Sequence, residues 1–134
     1  MTGPVTHVLI VDDEPAICRA LSQYLTKGGY RVSTALSSET AMSIVRAEQV
    51  DVMVVDLRLS DSRGDAFFEL AATHQASLRT RTLFTTGDIS ERAQELIEAC
   101  RCPLLRKPFA LEDLLNWVRS VQPLVERGDT NLTA

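Results

Sequence analysis

The residues able to do chemistry in this chain stand at the ends of short apolar runs. Asp12 and Asp13 follow "HVLIV" (7–11), and Asp56 follows "DVMVV" (51–55). Thr85, Thr86, Gly87 and Asp88 close "RTLFT" (81–85), and Lys107 with Pro108 follows "CPLLR" (102–106). Brought together, these groups would form a cleft of three carboxylates, a hydroxyl and an ammonium. Clustered acids repel one another and are costly to desolvate. A hard divalent cation relieves both penalties, and an all-oxygen ligand set with retained water suits Mg²⁺, with Mn²⁺ as a substitute, better than zinc. A carboxylate beside such a cation and an ammonium stays ionised. It can then act as a nucleophile, as carboxylates do in aspartyl-phosphate chemistry. The group attacked would be a phosphoryl, whose developing charge needs a cation, a fixed ammonium and hydrogen-bond donors. Lys107 and the Thr86 hydroxyl have the right chemistry for the last two.

Elements must bring these residues together. Five short apolar runs, at 7–11, 31–35, 51–55, 81–85 and 102–106, read as strands, and the first and third are apolar enough to be covered on both faces. Helical periodicity fills the gaps. "EPAICRALSQYLTKG" places Ile17, Leu21 and Leu25 on one face and stops at Gly28-Gly29. "SSETAMSIVRAE" offers Ser37 or Ser38 as N-cap, with Ala41, Ile44 and Val45 inward. "GDAFFELAATH" turns Phe67, Leu70 and Ala71 inward; "SERAQELIEAC" is capped by Ser90 and carries Ala93, Leu96 and Ile97. "LEDLLNWVRSVQPLV" shows Leu111, Leu114, Leu115, Val118 and Val121, with Pro123 weakening its end. Strand and helix alternating five times predict an α/β domain with a parallel sheet and right-handed crossovers. Ligands bind such sheets beyond the carboxyl ends of the strands, where the candidate residues lie.

Bulk properties agree. A chain of 134 residues fits one domain, expected over 1–126 with a core of about 7–125 and a frayed tail at 127–134. Its composition, 45% hydrophobic and 24% charged, is that of a globular protein able to fold without staples. The net charge of −4 argues against a nucleic-acid-binding surface. Cys18, Cys100 and Cys102 make an odd count with no zinc-ligand spacing, so free thiols in a reducing compartment are expected. With neither a signal peptide nor a membrane-length apolar stretch, the chain reads as cytoplasmic with no membrane contact.

Four motifs, "VLIVDDEP", "DVMVVDLRLSDSRG", "LFTTGD" and "LLRKPF", resemble in order and spacing the receiver domain of two-component response regulators, from about His7 to Val125. The resemblance implies a flavodoxin-like (βα)5 doubly wound fold, with a five-stranded parallel sheet in the order 2-1-3-4-5 and helices on both faces. It implies Asp56 as phosphoacceptor, loaded from a histidine kinase or a histidine phosphotransfer protein. Asp13 and Asp56 would bind Mg²⁺ directly, Asp12 would assist, and the backbone carbonyl of Arg58 would complete the protein ligands. Thr86 matches the switch hydroxyl, beside Gly87, and Lys107 the phosphate-binding lysine. Pro108 matches a proline that often follows a cis bond. Phosphorylation would shift the domain between two conformations, read by a downstream partner, or a second copy in a homodimer, on the face of the fourth helix, fifth strand and fifth helix. Beyond its own phosphorylation and dephosphorylation the domain would be no enzyme. The region from "LFTTGD" to "LLRKPFALEDLL" looks most like receivers attached to hybrid histidine kinases; a free-standing regulator is the other form. Two departures stand out. Leu59-Ser60 replaces the family's Met-Pro, which predicts a more mobile loop at 57–63. Leu104 replaces the switch aromatic, so switching cannot be reported by a rotating ring.

Plainer readings compete at each position. Asp12 and Asp13 could simply favour the positive end of a helix, and that reading is kept for Glu14. Thr85 competes with Thr86, but the strand-end register and the following Gly87 favour Thr86. Arg58 and Asp88 could set how fast water reaches the acyl phosphate, or be exposed loop residues. His7, His74 and Trp117 read as structural or exposed. Two rival functions are a Mg²⁺-dependent phosphatase using Asp56 as nucleophile, for which the chain lacks room for a cap, and a pseudo-receiver that only binds partners.

Overall fold

The computed structural model describes residues 5–87 and 90–123. The expectations for Asp88 and for the tail at 127–134 lie outside the described residues. The chain runs β1 (His7–Val11), α1 (Pro15–Lys27), β2 (Arg31–Ala35), α2 (Ser38–Ala47), β3 (Val52–Asp56), α3 (Gly64–His74), a 3₁₀ turn (Ala76–Thr80), β4 (Thr82–Thr86), α4 (Glu91–Cys100), β5 (Leu104–Arg106) and α5 (Leu111–Val121). The strands form one sheet in the order β2-β1-β3-β4-β5, and every pairing is parallel.

Local chemistry explains most boundaries. Ser37 Oγ accepts from the Thr40 amide and Ser90 Oγ from the Ala93 amide, which settles the choice between Ser37 and Ser38. α1 starts on Pro15, whose missing N–H costs nothing in a first turn. It ends at Gly28, and Gly29 follows at φ +98°, a conformation that disfavours any side chain. The strand pattern shifts slightly from the sequence reading. β3 and β4 begin and end one residue later than expected, so Asp56 and Thr86 are the last residues of their strands. β5 shortens to three residues. Pro103 has no N–H for a ladder, although its carbonyl accepts from Phe84 N at 3.0 Å.

Two apolar layers sandwich the sheet. Leu9, Val11, Met53, Val55 and Phe84 face α2, α3 and α4, whereas Val8, Ile10, Val52, Val54 and Leu83 face α1 and α5. β1, β3 and β4 are buried along their whole length, as central strands of a doubly covered sheet should be. One helix face differs from expectation. In α3 the buried residues are Phe67, Phe68, Ala71 and Ala72, while Leu70 is 62% exposed. Phe68 packs edge-to-face on Phe84 with ring centroids 5.7 Å apart. A residue two positions on lies about 200° around the helix and must face outward. In the same way Met42 is buried and Ile44 only half-buried in α2, and Cys18 is buried where Ile17 was expected. Trp117 packs half-buried against the α1/α5 layer. His7 is buried, with its ring bonded to Gln49 O and Ser33 Oγ, a structural role. His74 is exposed.

Candidate functional site

Parallel pairing in this register puts the carboxyl ends of β1, β3, β4 and β5 at one edge of the sheet. Asp12 and Asp13 leave β1, Asp56 ends β3, Thr85 and Thr86 end β4, and Lys107 follows β5. Asp12, Asp13 and Asp56 each present a carboxylate oxygen within 4.8 Å of the other two. Lys107 reaches into the cluster: its Nζ donates to Asp56 Oδ2 at 2.8 Å and to Asp12 Oδ2 at 2.9 Å. The second oxygens of both acids are held by the backbone. Asp12 Oδ1 accepts from Glu14 N and Asp56 Oδ1 from Arg58 N, each at 2.9 Å. Asp13 is half-buried, and among the described residues no donor is bonded to its carboxylate. The donor set is therefore three oxygen acids around one ammonium, two of them aimed by fixed hydrogen bonds. It fits a hard cation such as Mg²⁺.

The electrostatics are those of a strained acid cluster. Burial pushes the Asp56 carboxyl above its usual range, and the charge of Asp12 adds to this. Hydrogen bonds from Lys107 and the Arg58 amide pull the other way. Burial alone would lower Lys107, but its bonds to Asp56 and Asp12 win and hold it above the usual lysine range. The ammonium is thus firmly charged and the acids only partly compensated. Glu14, read as a helix-start acid, does sit at the N-terminal boundary of α1, and its carboxylate lies 3.9 Å from Lys107 Nζ. Cys18 donates to the Asp12 carbonyl at 3.3 Å, and burial pushes its thiol up to about 11, so it stays protonated at neutral pH. All three cysteines are free thiols.

The two threonines that end β4, Thr85 and Thr86, are both buried. Alternation along the strand places Thr85 with Leu83 on the α1/α5 side, in register with Asp56, and Thr86 with Phe84 on the α4 side. Thr86 thus shares its side of the sheet with the half-buried Leu104. The Thr86 carbonyl accepts from Lys107 N at 2.8 Å, joining the end of β4 to the lysine, and the Lys107–Pro108 peptide is cis.

Two features of the loop after β3 were not read from the sequence. Gly64, the first residue of α3, lies so close to β3 that a Cβ there would stand 2.2 Å from the Asp56 carbonyl oxygen. A glycine at the start of a helix, eight residues after the candidate nucleophile, was the available signal. The loop at 57–63, expected to be mobile without Met-Pro, is instead tied down. Asp61 accepts from Ser38 N, Ser38 Oγ and Glu39 N at 3.1, 2.8 and 3.2 Å, so its carboxylate sits on the N-terminus of α2. Ser62 Oγ bonds Ser38 Oγ, Leu59 N bonds Ser62 O, and Gly64 N bonds Leu57 O. The Ser38 amide and hydroxyl hold Asp61 below the usual carboxylate range. Its contribution is therefore present above the ordinary aspartate pKa and lost as pH falls through the lowered folded value. Asp61→Ala is expected to cost about 0.5–1 kcal/mol at pH 7, toward the low end for an exposed cap. Urea midpoints of the two proteins should converge as pH falls below the ordinary aspartate range.

A family model for the response regulator receiver domain matches residues 8–119. The chain belongs to the response regulator receiver family. Curated relatives of this receiver include the transcriptional regulatory protein KdpE of Mycobacterium tuberculosis, 34% identical over 117 residues (87% of this chain, 50% of the relative). Another is the regulatory protein VirG of Agrobacterium tumefaciens, 29% identical over 130 residues (93% of this chain, 48% of the relative). The chain spans about half the length of these relatives. Among solved structures the receiver resembles the Vibrio cholerae chemotaxis protein CheY4, with TM-score 0.78 and 27% identity, over 88% of this chain and 99% of that one. The fold is also that of a CheY-like receiver domain from Methanospirillum hungatei, with TM-score 0.81 and 24% identity, over 87% and 93% of the two chains. The receiver's sheet order and layers are those the sequence motifs implied. Among the described residues no helix is long and apolar enough to cross a membrane.

Proposed function

We propose that the domain is a phosphorylation switch of a phosphorelay in the cytoplasm, with Asp56 as the phosphoacceptor. The observation that carries this reading is Lys107 Nζ bridging Asp56 and Asp12, with Asp13 in the same cluster. The Asp56 carboxylate attacks the phosphorus of a phosphohistidine on a histidine kinase or phosphotransfer protein. A P–O bond to Asp56 forms, the P–N bond breaks, and the imidazole leaves with the electron pair and takes a proton. Lys107 is already charged and stands beside Asp56, where the phosphoryl oxygens arrive, so it stabilises them without reorganising. Asp12, Asp13, Asp56 and the Arg58 carbonyl would hold Mg²⁺, with Mn²⁺ as substitute. Bound there, the ion supplies the positive charge that offsets the acids and the transferring phosphoryl. Thr86 and Gly87 follow the phosphoryl at the end of β4. With Leu104 aliphatic, the change passes to the face of α4, β5 and α5 through packing rather than a rotating ring. A downstream protein, or a second copy, reads that face. The domain acts on no external substrate, and serves either as a free-standing regulator or as the receiver of a hybrid kinase.

The test is intact mass after incubation with Mg²⁺ and acetyl phosphate, with peptide mapping. One phosphoryl group on the peptide holding Asp56, absent with EDTA and absent in Asp56→Asn, is the expected result. No adduct in the wild type, or an adduct mapping elsewhere, overturns the reading, and steady turnover of phosphomonoesters would instead mark a phosphatase.

A further inference from the structure

The loop that leaves Asp56 is a small hairpin fixed at its base. Arg58 and Arg63 form an antiparallel bridge, and Leu59 N donates to Ser62 O at 3.1 Å. Below them Leu57 N donates to Thr85 O and Gly64 N to Leu57 O, each at 2.8 Å. The tip is exposed at Asp61 and half-buried at Ser62, and it is tied to a different element. Ser62 Oγ donates to Ser38 Oγ at 2.9 Å, and Ser38 Oγ in turn to Asp61 Oδ2. α2 already has a cap of its own, because the Ser37 side chain accepts from Thr40 N and its carbonyl from Ala41 N. Asp61 takes the two first-turn amides that Ser37 leaves, Ser38 N and Glu39 N. The tie therefore does more for the hairpin, which has no other element at its tip to rest on, than for the helix.

Arg58 links this hairpin to the acid cluster. Its N–H holds Asp56 Oδ1 at 2.9 Å, and its carbonyl is the one backbone group among the proposed Mg²⁺ ligands. Both are main-chain groups, so no side-chain rotation can correct them and only the path of the loop sets where they point. We propose that Asp61 is a positioning residue for the metal: its bonds to the N-terminus of α2 hold the hairpin, and with it the amide and carbonyl of Arg58, in the arrangement that binds Mg²⁺. The inference rests on the reading of Asp12, Asp13, Asp56 and the Arg58 carbonyl as a Mg²⁺ site. A hairpin released from α2 holds that arrangement only part of the time, and the apparent affinity falls by the same fraction. The fall cannot exceed what the tie contributes to folding, so it is a few-fold and not orders of magnitude.

The experiment is calorimetric titration of the full chain with MgCl₂, without a phosphoryl donor, in about 0.15 M KCl to screen distant charges. Asp61→Ala should weaken Mg²⁺ binding about 3- to 5-fold. Asp61→Asn keeps an acceptor for the α2 amides and drops the charge, and should stay within about 2-fold of wild type. Ser37→Ala removes the helix's own cap but leaves the tie to the hairpin. Its urea midpoint should fall while its Mg²⁺ affinity stays at the wild-type value. Wild-type affinity in Asp61→Ala overturns the proposal. So does an Asp61→Asn as weak as Asp61→Ala, which would mark an effect of charge alone, or an equally weak Ser37→Ala, which would mark a general loosening of α2. A wild type that binds no Mg²⁺ would overturn the metal reading itself, so the two failures are told apart.

Discussion

Gly64→Ala is expected to destabilise the protein by about 3 kcal/mol, near the upper end for overpacking a fitted core. The added Cβ would stand 2.2 Å from the Asp56 carbonyl oxygen and 3.0 Å from both the Asp56 carbonyl carbon and Leu57 Cα. All three neighbours are backbone, so no side-chain rotation relieves the clash. Either α3 must move off β3 or the end of β3 must bend. The first breaks the 2.8 Å bond from Gly64 N to Leu57 O and opens the packing of Phe67 and Phe68. The second moves the carboxylate of Asp56 away from Lys107. Misplacing a reacting group by about an ångström can cost about 10²-fold in rate, so acetyl-phosphate labelling should slow by that order in whatever fraction stays folded. Gly87→Ala is the control for stability. A Cβ there meets nothing within 4 Å, and its urea midpoint should stay within about 0.5 kcal/mol of wild type. A wild-type midpoint for Gly64→Ala would show that α3 adapts cheaply, contrary to the geometry.

Lys107→Met should have the largest combined effect on stability and chemistry. The side chains of Asp12 and Asp56 are only 3% and 7% exposed, and Lys107 is the cation bonded to both. Removing one partner from a buried charge cluster typically costs about 3–5 kcal/mol, because the remaining charges keep their desolvation penalty. The sign with pH follows from the direction of the shifts. Burial already raises Asp56, and losing the lysine removes its main opposing influence, so the folded carboxyl rises further. A folded carboxyl raised above its unfolded value contributes stability below the ordinary aspartate range and loses it as pH rises through the folded pKa. The defect of Lys107→Met is therefore expected to be small near pH 4 and large at pH 7. For the wild type, Lys107 is raised, so its contribution is intact below the ordinary lysine pKa and fades above it. Millimolar Mg²⁺ should recover much of the variant's melting temperature at pH 7 by replacing the lost positive charge. Labelling of Asp56 should still slow by about 10²–10³-fold, because the fixed ammonium beside the incoming phosphoryl is gone. A pH-independent defect, or no response to Mg²⁺, would mean that Lys107 acts through packing alone.

Much of this was legible before any coordinates. The Val- and Ile-rich runs at 7–11 and 51–55 marked central buried strands, and helical spacing between them required a parallel sheet. A parallel sheet brings its strand ends to one edge, so Asp12, Asp13, Asp56 and Lys107 had to meet although 95 residues separate the first from the last. Periodicity was less able to choose between neighbours. In α3, Leu70 matches the spacing of a buried stripe as well as Phe68 does, and the fit of Phe68 to Phe84 decided which one turned inward.

Alternation and hydrophobic spacing are properties of the chain alone, and they dictate the order of the elements, the doubly covered sheet and the residue types at its carboxyl edge. How those residues share their partners came from packing in three dimensions. Lys107 divides its ammonium between Asp56 and Asp12, Asp61 pins to α2 a loop that sequence comparison marked as loose, and Gly64 holds the backbone of Asp56 at contact distance. These are relations across loops, set by where rigid helices pack on the sheet. No local pattern encodes a distance between elements, and such distances turn an edge lined with acids into a site.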